Sequence, residues 1–170
     1  AGWASVKGID NVFVGQKAAT NFLGDASVII GSHAATSVVD GVNNVIIGRA
    51  AFDAALAGSF NANNNTAIGT FVGGGAGLKN SNVMIGSAAN RVSQVIANNV
   101  TVGTGAGEYS LVGDYNVTVG TGAGALSQAS NNVFVGSSAG SANTTGTRNT
   151  FVGHESGQYS TTSNDMLFVG

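Results

Sequence analysis

The sequence predicts an all-β fold, a parallel β-solenoid of about ten coils of roughly 17 residues, forming a single repeat domain over residues 1–170. Three observations predict it. An apolar-x-(Val/Ile)-Gly unit recurs ten times, with its glycine at 15, 31, 48, 69, 86, 103, 120, 136, 153 and 170. The nine residues NVTVGTGAG stand at 99–107 and again, letter for letter, at 116–124. The composition suits stacked turns: 27 glycines, no proline, no cysteine, and 8% charged residues where roughly 25% is ordinary.

A period near 17 is too short for a helix and a strand with their loops, but it holds two strands of about five residues and two tight turns. Counted from the repeated glycine, position −1 is always Val or Ile, from Val14 to Val169, and position −3 is Val, Thr or Leu, from Val12 to Leu167. Two residues apart on a strand, these columns share a face, and they are expected to point into the core. Position +3 is Ala in seven of nine coils, with Val72 and Ser156 as exceptions, which predicts a thin, tightly packed interior. Position −4 is Asn in eight of ten coils, and stacked turns would let these amides bond from coil to coil as a ladder.

Position −2 lies between the two expected core columns, so alternation turns it outward. It holds Phe13, Ile29, Ile46, Met84, Phe134, Phe151 and Phe168, with Ala67, Thr101 and Thr118 in the remaining coils. A continuous exposed apolar stripe marks an interface, so these seven large residues are expected to form an oligomer seam. The competing reading is that a neighbouring loop covers the stripe.

Units such as NNVFVGSSAGSANTTGTRNTFVG (131–153) and NTFVGHESGQYSTT (149–162) resemble the N-T-F-V-G-x-x-A-G repeats of phage tail-fibre proteins. They are also similar to the S-V-A-I-G repeats in the β-roll heads of trimeric autotransporter adhesins, whose period is nearer 14. The resemblance spans essentially the whole chain. It implies a left-handed β-roll and a homotrimer.

A net charge of −2 without a Lys/Arg cluster argues against nucleic acid as a partner. No apolar run reaches the length of a membrane span, so no membrane insertion is expected, and the opening AGWASVKGID lacks the layout of a signal peptide. Cysteine is absent, which removes disulfides and thiolate metal sites. The glycines of GTGAG (103–107) invite a phosphate-loop reading, but no helical pattern follows either copy to receive a phosphate. His33 and His154 fall on coils far apart, and the eight carboxylates single out no glycosidase pair. No catalytic residue, cofactor or metal site is therefore assigned.

The 21-residue coil between Gly48 and Gly69 carries its extra residues within 53–65, and insertions in solenoids map to loops, often on a binding face. Phe60 and Asn61 in that insertion, with Tyr109, Tyr115 and Tyr159 in the variable halves of their coils, are candidates for contact with a receptor through stacking on sugar rings; ordinary turn aromatics are the plainer reading. Thr101, Thr104, Thr118 and Thr121 rank across two coils as in ice-binding solenoids, but other coils carry Phe, Ile or Met in place of Thr101 and Thr118.

These readings converge on a structural and adhesive, trimeric fibre segment of a phage tail fibre or related appendage, located on the virion and projecting or forming a region that meets a host cell-surface glycan or protein receptor. A bacterial trimeric adhesin head on the cell surface is the alternative, and an ice-binding solenoid or polysaccharide-degrading tailspike stands behind it. The tenth unit stops at Gly170 with its coil unfinished, so the chain is expected to be a piece of a longer polypeptide or to be capped by another domain.

Overall fold

The computed structural model describes residues 8–53, 60–75, 77, 79–94, 96–111 and 113–170. The chain is a parallel β-solenoid with a period near 17 residues and no helix among the described residues. Its first sheet stacks ten three-residue strands, beginning at Val12–Val14 and ending at Leu167–Val169. Each pairs in parallel with the same segment of the next coil, as where Val117, Thr118 and Val119 face Val133, Phe134 and Val135. Nine steps of about 4.8 Å give a sheet about 43 Å long. The opposite wall is less regular, a second sheet of Val38–Asp40, Phe60–Asn63, Lys79–Asn80 and Ile96–Ala97.

The strands are shorter than the five residues expected because the coil spends its length on left-handed corners. Positions +2, +4 and −5 take positive φ in coil after coil, as at Ala88 (58°), Asn90 (49°) and Asn98 (58°). In the duplicated coils the first two of these corners are Gly105, Gly107, Gly122 and Gly124, which explains GTGAG as corner chemistry. The repeated glycine has a different reason. Gly120 has φ 135°, and a Cβ there would lie under 3.0 Å from the carbonyl oxygen of Gly136 in the next coil. Only a residue without a side chain lets the coils stack this closely.

The asparagine ladder exists and runs the length of the stack. The backbone N–H of Asn99 donates to Asn82 Oδ1 at 3.0 Å, that of Asn116 to Asn99 Oδ1 at 2.8 Å, and that of Asn132 to Asn116 Oδ1 at 2.9 Å. Each amide also reaches forward with its nitrogen: Asn99 Nδ2 donates to the Gly113 carbonyl and Asn116 Nδ2 to the Ala129 carbonyl, both at 2.9 Å. Where Ser27 replaces Asn, its hydroxyl accepts from the Asn44 N–H at 3.1 Å and keeps the ladder closed. A buried amide with both ends bonded is stabilising, whereas the same amide unpaired would cost about 1–3 kcal/mol.

The two faces of the first sheet are the reverse of those expected from alternation. Position −2 points into the coil: Ile29, Ile46, Met84, Phe134 and Phe151 are fully buried within one chain, and Phe13 packs partly buried against the same core. Phe168, in the terminal strand, remains 37% exposed. Positions −3 and −1, expected inside, face outward. The physical reason is geometric: a thin coil with three-residue strands has room for one inward side chain per strand, and the middle residue supplies it. The alanine column at +3 is interior as expected. Sizes inside compensate from coil to coil. Phe134 and Phe151 stack at 5.2 Å, and a Cβ on Gly140 or Gly157 would run into their rings. Near the small Ala67, Phe52 fills the space and Gly73 yields to it.

Buried apolar side chains form two clusters, one from Ala18 to Ile96 and one from Ala123 to Phe151. Between them the interior is polar, with Asn90 Nδ2 donating to Thr101 Oγ1 at 3.1 Å and Thr118, Ser110 and Ser127 buried nearby. Lys79 is buried in the second wall, donating to the Gly75 carbonyl at 2.9 Å; burial lowers its pKa from 10.5 to about 8.

Candidate functional site

Two outward surfaces stand out, and both are built by register. The first is the outer face of the ten-stranded sheet, two ranks of Val and Ile with Thr66, Thr150 and Leu167. Stacking half-buries the central rows, while Val14 is 54% and Val169 is 76% exposed at the two ends. The predicted seam residues are not on this face. Because Ile29, Ile46, Met84, Phe134 and Phe151 fill the coil's own interior, the outward apolar stripe passes to their Val and Ile neighbours. Thr101 and Thr118 likewise point inward, so the threonine rank across the duplicated coils is not a surface rank; Thr104 and Thr121 alone are exposed.

The second surface is the edge formed by the corner just after the repeated glycine. Positions +1, +2, +5 and +6 of the first three coils line a groove of about 580 Å³ with Gln16, Lys17, Asn21, His33, Thr36 and Asp53. Their backbones are fixed by corner-to-corner bonds such as His33 N–H to the Gln16 carbonyl at 2.9 Å. Thr36 Oγ1 donates to Asp53 Oδ1 at 2.6 Å, and Ser32 Oγ engages His33 Nδ1 at 2.9 Å. Among the described residues these contacts engage Asp53 Oδ1 and His33 Nδ1 and leave Asp53 Oδ2 and His33 Nε2 without a hydrogen-bond partner. Asp53 is shared with a smaller hollow of about 240 Å³ further along, which Phe71, Arg91 and Val92 also line. Phe71 is 43% exposed, with the Arg49 guanidinium 4.9 Å over its ring. Beyond it Arg91 Nε donates to Glu108 Oε1 at 2.8 Å and Nη2 to the Tyr109 hydroxyl at 3.1 Å. The Glu108 hydrogen bond holds the Arg91 pKa above its ordinary value.

The expected receptor contacts are not brought together. Tyr109 and Tyr159 lie exposed on the grooved edge three coils apart, whereas Tyr115 sits at a −5 corner elsewhere. Asn61 is exposed on the second sheet, and the Phe60 side chain, like the insertion residues 54–59, lies outside the described residues. Sequence reasoning missed Lys17, His33, Thr36 and Asp53 as a group. Their signal was present: in a charge-poor chain, Lys17 at +2 and Asp53 and Arg91 at +5 fall on the register of one edge. Among the described residues no three His, Asp or Glu side chains gather as metal ligands, and no helix is long and apolar enough to cross a membrane.

Comparison of the chain with protein-family models, curated proteins and solved structures returns no match. Fold and surfaces define the class: a charge-poor parallel β-solenoid with one flat apolar face and one polar grooved edge.

Proposed function

We propose that this chain is a structural and adhesive rod, a segment of a phage tail fibre or related surface appendage, and that it works as a homotrimer. The observation that carries the reading is the flat Val/Ile face on an uninterrupted coil-to-coil ladder. A face about 43 Å long and about 10 Å wide offers about 430 Å² per chain. Three such faces turned to a common axis enclose a narrow prism that the Val and Ile side chains fill, burying about 1,300 Å² in total, or about 430 Å² for each of the three pairwise contacts, so the assembly rests on the three contacts acting together. A three-fold axis along the rods makes all three point the same way. Continuous ladders resist bending, and few charged, loosely held turns offer themselves to proteases. The groove contains one carboxylate, Asp53, where glycoside hydrolysis uses two, which favours binding over cleavage there.

The test is the solution mass by light scattering at low concentration. Three times the 16.7 kDa chain mass is expected. Val119→Asp with Val135→Asp, on the outward face, should return the mass to one chain while the far-UV spectrum stays β-rich. A monomeric native chain overturns the reading.

A further inference from the structure

The grooved edge holds a chemistry that the rod does not need. Six Lys and Arg residues are present in the whole sequence, and three of them, Lys17, Arg49 and Arg91, stand on this one edge within the first five coils. Arg91 is paired with Glu108. Lys17 and Arg49 have no carboxylate within ion-pair distance among the described residues. Lys17 lines the groove, together with the polar side chains of Gln16, Thr20, Asn21, His33, Thr36 and Asp53, and Arg49 lies further along the edge over the ring of Phe71, which shares the neighbouring hollow with Asp53. That ring is exposed.

We infer that this groove binds an anionic saccharide chain laid along the rod axis. Lys17 and Arg49 meet carboxylate or sulfate groups of successive sugars. Asp53 Oδ2, with Oδ1 already held by Thr36, accepts from sugar hydroxyls, and Asn21 and His33 Nε2 complete the hydrogen bonding. Phe71 offers its outer ring edge and free face to a pyranose, its other face being covered by Arg49. A neutral glycan would leave both cations without a partner, and a free small anion would leave the hydroxyl-reading half of the groove unused. The inference deepens the adhesive reading by naming the class of receptor, and it places the whole site within one chain.

The test is isothermal titration of the full chain with tetragalacturonate, sialyllactose and a sulfated galactan tetrasaccharide, each against its neutral counterpart. At least one anionic sugar should bind more tightly than its counterpart and weaken as salt is raised. Lys17→Gln and Arg49→Gln should each reduce that affinity about tenfold, and Asp53→Asn should reduce it for the anionic and the neutral sugar alike. All three positions lie at the surface, so unchanged thermal melts certify the variants. Equal affinity for anionic and neutral sugars, no binding to any of the panel, or affinity untouched by the Lys17 and Arg49 substitutions overturns the inference. Light scattering on the same samples separates the two readings: a monomer that binds refutes the trimer and leaves the groove standing, and a trimer that does not bind does the reverse.

Discussion

Lys79 gives the most direct quantitative test of the solenoid's interior. It is fully buried in a column, seven residues before the repeated glycine, where neighbouring coils place Ala62 and Ile96. Its ammonium donates to the Gly75 carbonyl at 2.9 Å, and desolvation lowers its pKa from 10.5 to about 8. A lysine whose folded pKa is depressed opposes folding whenever it must be charged. Above pH 10.5 it is neutral in both states and costs nothing. Between about 10.5 and 8 the unfolded chain takes up the proton first, so stability falls as pH falls; below 8 both states are charged and the loss is complete. At about 1.36 kcal/mol per tenfold, the loss is about 3 kcal/mol. Lys79→Met should therefore be about 2 kcal/mol more stable than the native chain at pH 7, after allowing about 1 kcal/mol for the unpaired Gly75 carbonyl. Its advantage should disappear by pH 10.5. Urea unfolding of both proteins from pH 7 to pH 10.5 reads this directly, and the difference between them cancels tyrosine ionisation. A difference that stays constant with pH, or a native chain that loses stability from pH 8 to pH 10 relative to the variant, refutes the reasoning.

Three further outcomes follow from the coil geometry. Gly120→Ala puts a methyl group against the Gly136 carbonyl at a φ that L residues avoid, and should cost about 3 kcal/mol or more in denaturant melts. Asn99→Ala removes one acceptor and one donor from the ladder, leaving the Asn116 N–H and the Gly113 carbonyl unpaired, and should cost about 2–4 kcal/mol with faster amide exchange at Asn116. Asn143 is buried with neither amide atom bonded to a protein partner, so the near-isosteric Asn143→Leu should raise stability by about 1–3 kcal/mol in thermal melts; a loss of stability would show that the amide is satisfied after all.

The period, the alanine interior and the asparagine ladder were all legible in the sequence, because each is a column of one residue type with one physical use. The orientation of the strands was not. Two β-branched columns flanking one mixed column look like a core pair around a surface residue, and the alternation rule cannot choose between faces when the outer one is also apolar. The deciding signal was variation in size: the −2 column ranges from Ala67 through Thr101 and Met84 to Phe151, whereas the outward Val and Ile columns vary hardly at all. Side chains packed against one another covary in volume, and side chains on an open rank do not need to. The groove was hidden for another reason. Lys17, His33, Thr36 and Asp53 are spread over three coils, and only the left-handed corners at Lys17, His33 and Ala35 turn those coils so that one edge collects them.

The polar stretch of interior around Thr101, Thr118 and Ser127 divides the apolar filling into two blocks, although the outer ladder passes over it without a gap. In a stack where each coil touches only its neighbours, cooperativity is carried from layer to layer by what the layers bury between them. The rod is thus continuous as a hydrogen-bonded ribbon and segmented as a packed solid. Under load or on warming, its fault line is the Asn90 to Ser127 stretch, and the two blocks on either side are its units of melting.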